Sequence, residues 1–156
     1  MKDIYFYTGV PDDQDDNFWH NFWTKKLSYM GRSKIRIFSR SLRYHNKSFT
    51  CPSCNTEYSS LIGHEKGIDV RLALDVIRLA NDKVYDVAVI LSQDQDLREV
   101  AEEVVRISKE QNRWIKVASA FPVSPTYKVR GIDKTDWIKI SKVMYDACVD
   151  PRDYRS

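Results

Sequence analysis

Three carboxylates and a pair of thiols carry the chemistry that this chain can do. Residues 86–97 read DVAVILSQDQDL: five apolar residues, then two acids, Asp94 and Asp96, just past the end of an apparently buried strand. Two adjacent carboxylates repel unless something positive lies between them. A Mg²⁺ or Mn²⁺ ion would be that charge, and it would bridge to a phosphate and activate water. The plain alternative is that Asp94 or Asp96 caps the helix that follows, whose apolar stripe is Leu97, Val100, Ala101, Val104 and Val105.

Asp69 is the third acid. At 100° per residue, Arg71, Asp75, Arg78 and Asp82 form one polar stripe, and Leu72, Ala73, Val76, Ile77 and Ala80 an apolar arc. Asp69 falls on the apolar arc, where a carboxylate is costly unless paired, hydrogen-bonded or metal-bound. The dipole of a first helical turn is the other explanation. Asp75 is expected on the exposed stripe, as a partner for Arg71 or Arg78. Clustered with Asp94 and Asp96, Asp69 would complete a phosphodiesterase-type site.

The thiols are Cys51 and Cys54, in CPSC. They have the spacing of half a zinc site, with His45 and His64 on either side, although a full Zn²⁺ signature carries four ligands. No thioredoxin-like strand precedes the pair, which argues against a redox motif. Cys148 is read as a bystander. Three cysteines do not make a disulfide framework.

The elements that must position these groups follow from periodicity. Strands are expected over 4–8, 34–38, 86–91, 114–121 and in DWIKI, with helices over 18–30, 68–80 and 97–109. Acidic caps in DDQDDN open the first helix and Gly31 is expected to stop it. Residues 39–64 read as an irregular insertion with room for a hairpin at the cysteine pair. Strands alternating with helices give an α/β fold, a mainly parallel sheet with helices on both faces, in one domain over 1–156. Ligands of such sheets bind beyond the carboxyl ends of the strands, where Asp94 and Asp96 fall.

Net charge is only +3 over 156 residues, but its distribution is uneven. No acid occurs between Asp16 and Glu57, an interval holding Lys34, Arg36, Arg40 and Arg43 among its cations, with Tyr29, Phe38, Tyr44 and Phe49 interleaved. That pattern suits phosphate contacts with stacking platforms; the alternative is a solvated face that balances the acidic cluster. No apolar run approaches the roughly 18 residues of a membrane span, and MKDIYFYTG lacks the features of a secretory signal, so a cytoplasmic location is expected.

The segment EKGIDVRLALDVIRLANDKVYDVAVILSQDQDL resembles the signature of NYN domains, in the LabA-like branch of the PIN-like nuclease superfamily. YFYTGVPD resembles that family's second strand, and RGIDKTDWIKISKVMYDACVDPRDYR the end of one subgroup. The resemblance implies a PIN-like three-layer sandwich and a metal-dependent nuclease acting on RNA, with Asp69, Asp94 and Asp96 matching three acidic positions. Two departures stand out. Gln93 replaces the usual Gly and Leu97 the usual Phe. Family members also begin with a central strand ending in Asp-x-x-Asn, whereas only Met1, Lys2 and Asp3 precede Ile4, so that role is not carried onto Asp3. A sheet without that strand would expose apolar edges, and self-association is expected.

Overall fold

The computed structural model of the chain describes residues 3–12 and 17–155. The acidic caps expected at residues 13–16 lie outside them. The fold is mixed α/β and divides into two compact units, Met1–Arg71 with Arg152–Ser156, and Leu72–Pro151.

In the first unit, β1 (Tyr5–Val10), α1 (Asn17–Arg32) and β2 (Arg36–Ser41) form a parallel crossover, with Tyr5 opposite Arg36 and Val10 opposite Ser41. Alternation along the strands separates two faces. Phe6 stacks on Trp23 of α1 at 6.2 Å, so the helix covers the Phe6 side. Tyr5, Tyr7 and Phe38 share the opposite side with Arg36 and Arg40. Tyr154, from the end of the chain, packs on α1 through Phe22 at 6.0 Å and Tyr29 at 6.3 Å.

Gly31 does not stop α1. The helix runs on to Arg32, and the chain reverses at Lys34, φ 62°, where the Ile35 amide reaches back to the Met30 carbonyl at 3.2 Å. Reversal of this kind needs a left-handed residue, and here a lysine supplies it without a glycine signal.

The hairpin for which the cysteine pair left room is a long antiparallel ribbon, so most of the segment expected to be irregular is regular strand. β3 (Arg43–Thr50) and β4 (Glu57–His64) pair along their whole length, Arg43 opposite His64 and Thr50 opposite Glu57.

α2 (Ile68–Asn81) starts in the first unit and runs into the second, followed by β5 (Val87–Ile90), α3 (Arg98–Glu110), β6 (Lys116–Pro122), β7 (Asp136–Ile140) and α4 (Lys142–Asp146). The three strands are parallel in the order β5-β6-β7. Central β6 is buried continuously from Val117 to Phe121, as a strand paired on both edges should be. β5 differs from its expected burial on both faces. Ile90 is inside, while Val87 and Val89 are about half exposed (49% and 47%). Strand β5 therefore has period two and lies at the edge of its sheet.

α3 supplies Val100, Ala101, Val104 and Ile107 to the core, where they meet Ala80, Ile90, Val117 and Ile132. Val105, expected in that stripe, is exposed, being 100° round the helix from Val104. Its polar side carries Arg98–Glu102 at 2.9 Å and Arg106 between Glu103 and Glu110. Arg113 ties the far ends together by donating to the carbonyls of Ala80 at 3.0 Å and Tyr85 at 2.7 Å. The Tyr85 phenol donates to Val76 O at 2.9 Å, and burial pushes its pKa up to about 12. Among the described residues no helix is long and apolar enough to cross a membrane.

Two glycines should respond oppositely to alanine. A Cβ at Gly31 meets only Ile37 Cδ1 at 3.8 Å, and the site is helical, so Gly31→Ala should stabilise by about 0.5–1 kcal/mol. A Cβ at Gly131 would strike Ser119 Oγ, with Trp137 Cδ1 at 2.7 Å and Phe121 Cε1 at 2.8 Å. Gly131→Ala should cost about 1–3 kcal/mol through overpacking. Urea denaturation of the two variants measures both.

Candidate functional site

Residues 130–133 have no regular structure, yet Gly131 and Ile132 are buried. A buried loop without ladder bonds must find other partners for its backbone. Ile132 N donates to Ser119 Oγ at 3.0 Å, and Ile132 O accepts from Trp137 Nε1 at 2.9 Å and Thr135 Oγ1 at 2.7 Å. Three further groups are met from the acidic turn. Gln93 Nε2 donates to Arg130 O at 2.9 Å, and Gln95 Nε2 to Gly131 O at 3.0 Å. Gln95 Oε1 accepts from Asp133 N at 3.2 Å.

These bonds answer the question raised by SQDQDL. Its glutamines reach the loop, while Asp94 and Asp96 are exposed just beyond the carboxyl end of β5. Asp94 Oδ1 accepts from Asp96 N at 3.0 Å and caps a short 3₁₀ turn, Gln95–Leu97, so capping describes one of its oxygens. Among the described residues the Asp96 carboxylate has no hydrogen-bond or ion-pair partner. Exposed carboxylates with open positions are the donor type that Mg²⁺ and Mn²⁺ take while keeping several waters. Among the described residues no group of three or more His, Cys, Asp or Glu side chains is placed to hold a metal ion.

Asp69 and Asp75 exchange the environments expected of them. Asp75 is only 5% exposed, its Oδ1 paired with Arg78 Nη2 at 3.1 Å, whereas Asp69 is exposed. Seven residues separate Asp75 from buried Ile68, two turns of helix with about 20° of drift, so the two lie on one line. The line of Val76 and Ala80 is covered at the far end of α2 and open at Asp69. Asp69 belongs to the first unit, Asp94 and Asp96 to the second.

The turn leading to Asp69 is built in the first unit. Glu65 Oε1 accepts from Gly9 N, at the end of β1, at 2.5 Å. Gly67 has φ 75°, and Arg40 Nη1 lies 2.7 Å from where a Cβ would stand. Arg40 and Arg71 both lie over the Phe38 ring, at 5.2 and 4.8 Å.

Of the four cations expected to meet nucleic acid, Arg36 and Arg40 thus share one face of β2. Arg36 also pairs with Asp3 at 3.5 Å and lies over Tyr5 at 5.3 Å. Lys34 sits in the turn before β2, and Arg43 opens β3. The ribbon gathers several residues of the basic, aromatic interval and adds Tyr58. One of its faces carries Arg43, His45, Lys47 and Phe49 with Tyr58 and His64, by register. Phe49 and Tyr58 stack at 5.4 Å, and Lys47 Nζ lies 5.5 Å from the Phe49 ring centre. The alternation in RYHNKSF was the signal that could have revealed this face.

Cys51 and Cys54 lie at the tip of the ribbon, while His45 and His64 stack on each other at 4.4 Å near its base. Six residues of strand separate His45 from Cys51, about 20 Å. The histidines therefore do not flank the thiols in space.

The second unit thus carries an acidic turn beyond the carboxyl end of a parallel strand, and the first carries basic and aromatic strand faces. A family profile for the NYN domain matches residues 2–114, and the chain belongs to the NYN domain family. That membership suggests a nuclease-like function in general terms and a nucleic-acid substrate. No curated protein and no solved structure matches the chain.

Gln95→Ala should remove one donor and one acceptor from the buried loop, at Gly131 O and Asp133 N, and cost about 1–3 kcal/mol. Asp96→Asn, at an exposed and unpartnered carboxylate, should change stability by less than about 0.5 kcal/mol. Denaturant unfolding of the two variants checks the contrast.

Proposed function

We propose that this protein is a metal-dependent ribonuclease of the NYN and PIN-like type, in its LabA-like branch, that cleaves RNA phosphodiester bonds in the cytoplasm. The PIN-like three-layer sandwich is part of that reading. The observation that carries it is the alternating turn. Gln93 and Gln95 satisfy the loop and leave Asp94 and Asp96 exposed beyond a parallel strand. Asp69 is assigned through its place in EKGID alone.

Mg²⁺ or Mn²⁺, held by Asp94 and Asp96, would supply Lewis-acid polarisation of the scissile phosphate. The chain's own groups do the rest. Free carboxylate oxygens orient water for in-line attack. Lys34, Arg36, Arg40 and Arg43 hold backbone phosphates, and Phe49 with Tyr58 offers a stacked platform to unpaired bases.

A second reading is an RNA-binding module that does not cleave. It is favoured by the capping role of Asp94 and by a basic, aromatic ribbon face whose make-up does not involve the acids.

Incubation with a short single-stranded RNA separates the two. The nuclease reading predicts cleavage with Mn²⁺ or Mg²⁺ that a chelator stops. Asp94→Asn and Asp69→Asn should slow it roughly 100-fold, the scale of losing one stabiliser of transition-state charge. Asn caps about as well as Asp, so the Asp94 variant keeps its fold. Glu102→Gln, on the exposed side of α3, should cleave normally. RNA retention without metal-dependent cleavage would establish the binding module instead.

A further inference from the structure

The tip of the ribbon is a tight turn that carries both cysteines. Pro52 restricts the turn, Cys51 N donates to Thr56 O at 3.0 Å, and Asn55 N donates to Cys51 O at 2.9 Å. Asn55 takes the left-handed conformation, φ 54°, which lets the chain turn back after the second cysteine. The result places the two thiols within hydrogen-bonding reach of each other, with Cys54 exposed and Cys51 partly so. The Thr56 hydroxyl lies 3.3 Å from Cys54 Sγ.

A structural zinc takes four ligands in a tetrahedron. The tip offers two. His45 and His64 stand near the other end of the ladder, and no third metal-binding side chain joins the thiols among the described residues. We infer that Cys51 and Cys54 bind Zn²⁺ as half of a tetrathiolate site, whose other half is the same pair from a second copy of this chain.

Two observations favour a second copy as the occupant. An identical knuckle supplies the two missing thiolates, and a two-fold axis through the ion closes the assembly at two chains. The tip can be approached, because residues 52–60 are all exposed and the ribbon is a ladder of only two strands. Two-stranded ribbons are marginally stable in water, and a shared ion would fix this one at its least supported end.

The test uses the full chain under a phosphine reductant, stripped with a chelator and then titrated with Zn²⁺ while its mass is followed by sedimentation. The expected endpoint is half a zinc per chain, with monomer before titration and dimer after it. Co²⁺ in place of Zn²⁺ should give the intense thiolate-to-metal absorption of a four-sulfur site. Cys54→Ser should lose both the metal and the dimer. The wild-type strip-and-restore cycle shows the same dependence without relying on the variant's folding. One zinc per chain on a monomer, no zinc binding at all, or a dimer unchanged by stripping would each overturn the inference.

Discussion

The buried loop at Gly131 and Ile132 is the constraint on which the acidic turn depends. Its backbone has no sheet or helix to satisfy it, so side chains must do so. Ser119 and Trp137 act from the two strands beside it, and Gln93 and Gln95 from the turn after β5. Ser119 is fully buried, so its hydroxyl has no access to water and must bond within the loop. Because one amide side chain, Gln95, both donates to Gly131 O and accepts from Asp133 N, a change at this position unpairs two backbone groups together. The turn and the loop are thus one polar unit, locked to β6 and β7.

That unit gives a physical meaning to the departure of this chain from its family's pattern. Gln93, where the resemblance led to the expectation of a glycine, reaches the carbonyl of Arg130, a contact that glycine could not make. The two carboxylates remain on the solvent side of the turn. A divalent ion and a phosphate both require such exposure, since each brings its own water and must be able to leave. Within the first unit, Arg40 and Arg71 lie over Phe38, and Lys47 over Phe49.

Much of this architecture could be read from the chain. The alternation of strands and helices, the α3 stripe from Val100 to Val104 and the place of Asp94 and Asp96 follow from periods of two and 3.6. Other features escaped for identifiable reasons. A helical wheel gives angle but not axial position, so Asp69 and Asp75 were assigned to each other's environments. Gly31 was expected to end α1 because a glycine is the usual signal, whereas the reversal lies at Lys34, a residue with no such signature. The length of the ribbon, though not the hairpin at the cysteine pair, was hidden by polar residues on both of its faces, which blur the alternation that marks a half-buried strand. The roles of Gln93 and Gln95 had no sequence signal, because their partners lie 36 to 38 residues further along the chain.

The central claim is that Asp94 and Asp96, displayed by this turn, hold a divalent cation. Paramagnetic broadening of backbone amide signals by Mn²⁺, well below one equivalent, tests it without reference to activity. The account predicts that the amides of residues 94–97 and of the adjoining loop at 131–133 fade first. Asp94→Asn should abolish that preference while leaving the spectrum folded. Broadening that begins instead at the exposed acids of α3, or spreads evenly over the surface, would contradict it.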